Sequence, residues 1–476
     1  MRIHFNNKYL KERLVSWYVS YPQLISNIEV FDVNNKEAYN IKVVKFGGSS
    51  LASAEQFVKV ANIIKADSAR KFVVPSAPGK RFSGDTKVTD MLYECYNVSA
   101  AGGNIDEIFD KVCERYNLII SGLGIDFDLT DEYQHIKWAI LHHAGRDYAA
   151  SRGEYLNGMI LAKYLGFDFI DPAPYIRFRD DGVFNAEITN SLLAEELKKH
   201  ETGVIPGFYG SMPNGTIRTF SRGGSDITGS IVSRAVEADL SENWTDVNGF
   251  LMADPRIVDN PKGIEFITYR ELRELSYMGA GVLHEDAIFP VRFAGIPINI
   301  RNTNDPSDPG TMIVSNTDVY DSESIITGIA GKKGFCVITI EKAMMNAEKG
   351  FGRKVLEAIE HENISFEHLP SGIDTMSVVL NRSEIAGCRE RLVNRICNAV
   401  EPDAISIEEG LALVAVVGRG MVKAKGTAVR VFKAAAEAGI NIRMIDQGSS
   451  ELNIIIGVDE SDFEKSMGAI YNEFVK

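Results

Sequence analysis

The sequence predicts an α/β protein: a domain built on a largely parallel sheet, followed by two small α+β modules. Two observations carry that expectation. From Ile41 onward, short β-branched runs that end in glycine or proline alternate with stretches whose apolar residues recur at helical spacing. The last third of the chain then repeats itself at an offset of 76 residues, so that Gly334 falls on Gly410.

The first domain opens with IKVVKFGG (41–48), a strand ending in glycines. SAEQFVKVANIIKAD follows, with Phe57, Val60, Ala61 and Ile64 on one helical face, and Ser53 with Gln56 gives a capping-box signature at its start. KFVVPSAPGK (71–80) is a second strand-to-loop unit. Further strands are expected at FDFID (167–171), TGVIPGF (202–208) and IPINIRN (296–302), and NTNDPSDPG (302–310) marks a domain edge. In the repeat, GFCVITI pairs with GLALVAV, Met345 with Met421, Gly350 with Gly426, Ile364 with Ile440 and Gly372 with Gly448. Each copy reads strand, glycine-containing loop, helix, strand, glycine turn, strand. The helices are GRKVLEAIEHEN and GTAVRVFKAAAEAG, the second closed by Gly439 as a C′ glycine. Two copies are too few for a solenoid, so two packed modules are expected.

Bulk properties narrow the function. A chain of 476 residues is long enough for two or three domains. Its net charge of −14 argues against nucleic-acid or anionic-membrane partners. Five cysteines without CxxC spacing fit buried thiols in a reducing cytoplasm. No run reaches the ~18 apolar residues of a membrane span. Residues 1–40 have no continuous apolar core, so they make a poor signal peptide. They read as a docking extension, or as a start placed too far upstream, with no catalytic role.

Chemistry concentrates in a few stretches. KFGGSS (45–50) puts a lysine at a strand end before two glycines, where bare backbone N–H groups can approach phosphate oxygens at a helix start. The plainer reading is a strand–helix turn that needs positive φ at glycine. It is not a P-loop, and PGKR (78–81) does not supply one. SRGGSD (221–226) gives a second such turn, with Arg222 offering a planar fork for a carboxylate or phosphate and Asp226 at or near a helix start, or, taken singly, a surface arginine and a helix cap. WTDVNGFLMADPR (244–256) is a turn-rich loop in which Thr245, Asp246 and Arg256 could bind a nucleotide, or which is simply two turns. SRGEYL (151–156) places Glu154 at an apparent helix start, where dipole compensation is the alternative role. PSAPGKRFSGDTKVTD (75–90) reads as a substrate loop or as a flexible surface loop. The histidines lack metal-ligand spacing, and no GxSxG or Cys–His pair calls for a covalent nucleophile or a bound transition metal.

Together these blocks resemble the aspartate kinases of the amino-acid kinase superfamily. The resemblance runs from about Val43 to the C-terminus and includes MGAGVLH (278–284) and VGRGM…INI…IDQGSSELNI (417–454). It implies an αβα catalytic sandwich over 41–310 and two ACT-type regulatory modules, 311–400 and 401–476. No homoserine dehydrogenase region follows, so a monofunctional enzyme is implied. The implied reaction moves the ATP γ-phosphoryl group onto the side-chain carboxylate of L-aspartate, the first step toward lysine, threonine and methionine. That carboxylate is already ionised at neutral pH, its ordinary pKa being about 3.9, so no general base is needed.

By resemblance, Lys45 would neutralise the transferring group and Asp226 would orient Lys45. Arg222 would clamp the substrate α-carboxylate and Glu154 its ammonium, with Ser76, Thr89, Phe208 and Ser225 completing the pocket. Gly47, Gly48, Ser49, Gly223 and Gly224 would approach the ATP phosphates, bridged by Mg²⁺, and Thr245, Asp246 and Arg256 would hold the nucleotide. No protein-bound metal and no tightly bound cofactor are implied. The ACT-type modules imply an effector amino acid near Met345, Gly350, Phe351, Glu367 and Asp374. The two acids would favour lysine over threonine, unless they are simply solvated surface residues. Pairing of these modules across subunits implies a homodimer or homotetramer.

Three positions depart from the family pattern: Leu251 where tyrosine is common, Gly281 where lysine is usual, and Glu285 in place of proline. RFSGDTK also lengthens the substrate loop. The alternatives are another amino-acid kinase, such as a glutamate, acetylglutamate or uridylate kinase, and an amino-acid-sensing protein with an inactive kinase domain.

Overall fold

The computed structural model describes residues 40–221, 223–279, 289–315 and 324–475. The extension 1–39, Arg222, Gly281 and Glu285 lie outside the described residues. These residues form two compact units. The first holds 40–249, 265–269 and 289–315, and the second holds 250–264, 270–279 and 324–475.

The first unit is built on an eight-stranded sheet. Its strands are β1 (Lys42–Phe46), β2 (Arg70–Pro75), β3 (Asp168–Phe169), β4 (Gly203–Val204), β7 (Leu240–Thr245), β8 (Phe266–Thr268), β9 (Ile298–Asn302) and β10 (Thr311–Val314). A separate hairpin pairs β5 (Tyr209–Ser211) with β6 (Ile217–Thr219). The order β3-β4-β2-β1-β7-β9-β10-β8 is parallel except at β9–β10.

Strand alternation assigns the two faces. Val44 and Phe46 of β1 point into an apolar core shared with α1 (Ala54–Lys65), α2 (Val88–Ala100), α3 (Asp106–Leu123), α4 (Thr130–Leu141) and α5 (Arg146–Leu165). Residues of the other parity, such as Lys45, face α7 (Gly224–Ala235), which follows α6 (Ala186–Leu197). Gly229 of α7 packs so tightly on Lys45 that an added Cβ would lie 3.2 Å from the lysine Cβ. Helices thus cover both faces of the sheet, as the predicted αβα sandwich requires.

The expected capping box does not form at α1. Ser53 is the N-cap residue, but its hydroxyl donates to Glu55 (2.6 Å) and makes no bond to the helix N–H groups.

In the second unit, β11 (Gly328–Glu341), β12 (Phe366–His368), β13 (Thr375–Asn381), β14 (Ala404–Val417), β15 (Met444–Asp446) and β16 (Asn453–Asp459) form one sheet in the order β12-β13-β11-β14-β16-β15. The repeat is carried at residue level, because the bounds of β11 moved by 76 residues are those of β14. Gly350 (φ 83°) and Gly426 (φ 85°) cap α8 (Phe351–Glu360) and α10 (Thr427–Glu437), and Gly439 (φ 66°) follows α10 as expected.

The antiparallel β11 and β14 each serve both modules. Residues 336–341 pair with 404–409 beside β13, α8 and α9 (Arg389–Val400). Residues 328–332 pair with 413–417 beside β16, α10 and α11 (Phe463–Val475). The crossovers fall near Gly334 and Gly410, both at positive φ. The two modules interlock across the implied boundary at 400/401, since each half of the sheet draws one strand segment from either side of it. The sheet also curls, since His368 Nδ1 on β12 lies 2.6 Å from Asp446 Oδ2 on β15 at the opposite edge. All five cysteines are free thiols, with Cys95, Cys336 and Cys388 buried.

Candidate active site

The turns that follow β1, β2 and β7 lie at the carboxyl ends of neighbouring parallel strands, where open α/β sheets bind ligands. Lys45 projects from the end of β1. Its Nζ lies 2.6 Å from Asp226 Oδ1, in the first turn of α7, and donates to Asn243 Oδ1 of β7 at 3.4 Å. Asn243 Nδ2 in turn donates to Asp226 Oδ1 at 2.9 Å. Sequence reasoning singled out Lys45 and Asp226 and missed Asn243. The available signal was the polar pair Glu242-Asn243 inside an inner strand.

Glu242 has a different task. Its carboxylate is buried and accepts from Arg70 (2.9 Å) and Trp244 Nε1 (2.8 Å), with Lys42 Nζ at 3.5 Å. Such a closed, hydrogen-bonded cluster satisfies its charges internally.

The glycine turns work by close approach. Gly47 has φ −70° and donates its N–H to Trp244 O (3.0 Å), so the positive-φ explanation of this turn fails. Gly48 meets the 77–79 backbone, and Gly79 N donates to Gly48 O at 2.8 Å. Ser49 is half-buried in the 3₁₀ turn that follows. At the second turn, Gly223 is left-handed (φ 58°) and caps α7. Phe208 is also left-handed (φ 83°), which is uncommon for a bulky residue. Its N–H donates to Thr228 Oγ1 (3.0 Å), and its ring packs where a Cβ on Gly224 would stand. Buried Ser225 closes against Gly207 in the same way.

Glu154 is not at a helix start. It sits in the middle of α5, so the dipole reading of this residue fails as well. Its carboxylate accepts from the Ala77 backbone N–H, yet burial pushes its pKa up to about 8. One turn on, Asn157 Nδ2 donates to Ser76 O at 2.6 Å. Ser76 N donates to Phe46 O (3.0 Å), so the Ser76–Ala77 segment joins β1 to α5. Thr89 is half-buried in the first turn of α2, which packs on α5. The lengthened loop is pinned. Asp85 accepts from Arg81 (2.9 Å) and Arg115 (2.8 Å), and Arg115 also donates to Gly79 O (3.0 Å). Those guanidinium bonds hold the Asp85 carboxyl well below its usual range.

The remaining expected residues divide between the units. Thr245 ends β7, and its hydroxyl lies 3.2 Å from the Asp246 carboxylate. Arg256 belongs to the second unit, is exposed and pairs with Asp254. Leu251, also in the second unit, forms a bridge with Gly263. Of the effector set, Met345 and Phe351 are buried in the core of their module. Asp374 Oδ1 accepts from Met344 N at 2.8 Å. Glu367 Oε2 accepts from the hydroxyl of Tyr277, at the end of helix Tyr269–Tyr277.

Comparison with known proteins bears on both units. The amino acid kinase family matches residues 40–302, and an ACT domain family matches residues 414–474. Aspartokinase 3 of Bacillus subtilis (strain 168) is 41% identical over 450 residues, covering 91% of this chain and 98% of that protein. The crystal structure of Clostridium acetobutylicum aspartate kinase, described as an allosteric enzyme, is 53% identical with a TM-score of 0.84, over 91% of this chain and all of that one. Escherichia coli aspartokinase III in complex with aspartate and ADP shares the fold at 24% identity and a TM-score of 0.70, over 92% of this chain and 100% of that one.

Proposed function

The chain belongs to the aspartate kinases of the amino acid kinase family, and from that premise we propose how its residues divide the work. It is an enzyme that transfers a phosphoryl group from ATP to the side-chain carboxylate of L-aspartate, giving 4-phospho-L-aspartate. The observation that carries our reading of the site is the Lys45–Asp226 ion pair at the carboxyl end of β1.

Lys45 faces the transferring group and offsets the charge that develops on its oxygens, while Asp226 keeps the ammonium aimed. Gly47, Gly48, Ser49, Gly223 and Gly224 let backbone N–H groups approach the phosphates. Thr245, Asp246 and Arg256 hold the rest of the nucleotide. Aspartate lies with its ammonium on Glu154, its α-carboxylate on Arg222 and its body among Ser76, Thr89, Phe208 and Ser225. Mg²⁺ fits as an ion carried on the ATP phosphates, since it favours phosphate and water oxygens, and Asp226 Oδ1 is already engaged by Lys45 and Asn243. When bound, it would neutralise negative charge on the phosphates. The test is MgATP turnover with hydroxylamine trapping of the acyl phosphate. Aspartate-dependent hydroxamate is expected from the native chain and none from Lys45→Ala, and an active Lys45→Ala would defeat this assignment.

An effector amino acid binds the ACT-type modules, and lysine suits the carboxylates of Glu367 and Asp374 better than threonine does. The modules also pair between subunits. Met344 and Ile373 are exposed apolar residues at the Asp374 turn (73% and 69% exposed), which supports a covered face there. Light scattering should find a dimer or tetramer, and Ile373→Glu should weaken it. No helix among the described residues is long and apolar enough to cross a membrane, in keeping with a cytoplasmic enzyme.

A further inference from the structure

We propose that Asn243 is a positioning residue for phosphoryl transfer, whose side-chain amide fixes Lys45 and Asp226 relative to one another. The proposal rests on the assignment of Lys45 as the cation that meets the transferring group.

β7 is an inner strand, flanked by β1 and β9. Inner parallel strands are buried on both faces and usually apolar, and a buried amide is costly unless both of its ends are bonded. Asn243 is only 8% exposed. The parallel register of β1 and β7 sets it directly beside Lys45, and the first turn of α7 brings Asp226 across both. The amide then closes a triangle. Its Nδ2 donates to Asp226 Oδ1 at 2.9 Å, its Oδ1 accepts from Lys45 Nζ at 3.4 Å, and Lys45 Nζ meets the same Asp226 oxygen at 2.6 Å.

Only one orientation of the amide satisfies both ions. Turned over, it would set its N–H₂ against the ammonium and its oxygen against the carboxylate. An asparagine serving only the fold would bond to backbone or to neutral neighbours. Among the described residues this side chain bonds to the two charges and to nothing else.

The arrangement answers a problem built into the ion pair. A lone carboxylate at 2.6 Å can rotate and take the lysine ammonium with it, away from the phosphoryl oxygens. Held from a second side by the amide, Asp226 Oδ1 becomes a fixed anchor, and Lys45 keeps one direction. Misplacing a catalytic group by about 1 Å can cost on the order of 100-fold in rate.

Asn243→Leu keeps the volume and removes both bonds. Asn243→Asp keeps the shape and replaces the donor with a second carboxylate facing Asp226. In the full chain, each should lower kcat by roughly 10- to 100-fold, with KM for ATP and aspartate within about threefold and Tm little changed. In an Asp226→Asn background, adding Asn243→Leu should cost much less than it does alone, because the anchored group is already gone. Wild-type kcat in either single variant overturns the proposal, and so do fully additive losses in the double variant. If Asn243→Leu is unstable, the isosteric Asn243→Asp decides. Lys45→Ala separates the premise from the proposal: if it remains active, the site assignment fails, whereas an inactive Lys45→Ala beside a fully active Asn243→Leu refutes the role of Asn243 alone.

Discussion

Glu154 Oε2 and Asn157 Oδ1, one turn apart on α5, are both buried and both without a hydrogen-bond donor among the described residues. Buried acceptors are rarely left so. An ammonium group would supply the missing N–H donors, and the α-ammonium of aspartate is the candidate that this reaction brings. Glu154→Gln should therefore raise KM for aspartate by about 10- to 100-fold, at roughly 1.4 kcal/mol per decade, with a smaller effect on kcat.

The same carboxyl makes a pH prediction. Its folded pKa, about 8, stands above the ordinary value of 4.5. Between those values the folded state holds a proton that the unfolded state has released, so stability falls as pH rises through that window. Tm measured from pH 5 to pH 8 should fall less in Glu154→Gln than in the native chain. Over the same range KM for aspartate should drop as the carboxylate forms. A KM that is flat with pH would remove Glu154 from the ammonium site.

Lys45→Ala should reduce kcat by about 1,000-fold or more, beyond the roughly 100- to 1,000-fold typical of one lost electrostatic donor. Asp226→Asn should lower kcat less, because the lysine charge remains but its aim is lost. Single-turnover phosphoryl transfer, which excludes product release, is the deciding measurement. Equal burst amplitude and rate in Asp226→Asn would show that the pair is only structural.

Much of this site could be read before the structure was known, and its limits are physical. Lys45 could be singled out because a lysine closes a β-branched strand before two glycines, a pattern that a plain strand–helix turn also produces, and what the structure adds is its pairing with Asp226. The repeat was legible because strand bounds and capping glycines recur at one offset. Glu154 was misread. α5 begins at Arg146, after Gly145 at φ 101°, eight residues before the Glu154 that was placed at a helix start. Asn243 stayed hidden because its importance lies in the strand register that sets it beside Lys45, and no local pattern encodes that. The shared strands β11 and β14 were hidden because the glycine and charged residues at their midpoints, 331–334 and 408–410, read locally as loop ends, whereas the strands continue across them with a register shift.

Gly79→Ala tests the close approach of the two loops. A Cβ there would lie 2.6 Å from the Gly48 carbonyl carbon, and backbone cannot rotate aside as a flexible side chain can. Overpacking of this kind costs about 1–3 kcal/mol. Tm should fall, and KM for ATP should rise because the Gly47–Gly48 turn is displaced. An unchanged KM would mean that the two loops move independently.

Asp85 should govern the order of the substrate loop. Its carboxyl is held below the usual range by Arg81 and Arg115, so its contribution is present above the ordinary pKa of 3.8 and is lost as pH falls through the lower folded value. Asp85→Asn should speed proteolytic cleavage between Lys80 and Lys87 at neutral pH and raise KM for aspartate by several-fold. Its stability should then depend less on pH at the acid end. Cleavage at the native rate would show that the Gly79 and Thr86 carbonyls suffice for Arg115 to hold the loop.

Inhibition should follow the acids of the first ACT-type module. Glu367 accepts a hydrogen bond from the Tyr277 hydroxyl, and burial together with that bond raises the tyrosine pKa. A lysine side-chain ammonium is a stronger partner for the carboxylate than a neutral hydroxyl. With lysine as the effector, binding would exchange one partner of Glu367 for another and free the end of helix Tyr269–Tyr277. Inhibition requires only that lysine bind the less active state more tightly, and a tenfold preference corresponds to about 1.4 kcal/mol of coupling. Glu367→Gln should weaken lysine inhibition by roughly tenfold while leaving kcat without lysine unchanged. Tyr277→Phe should strengthen lysine binding, because the competing hydroxyl is gone, whereas a hydroxyl that merely braces the fold would lower Tm and leave the lysine midpoint in place. Titrating lysine and threonine separately settles the effector: inhibition by threonine alone would assign these carboxylates to the surface.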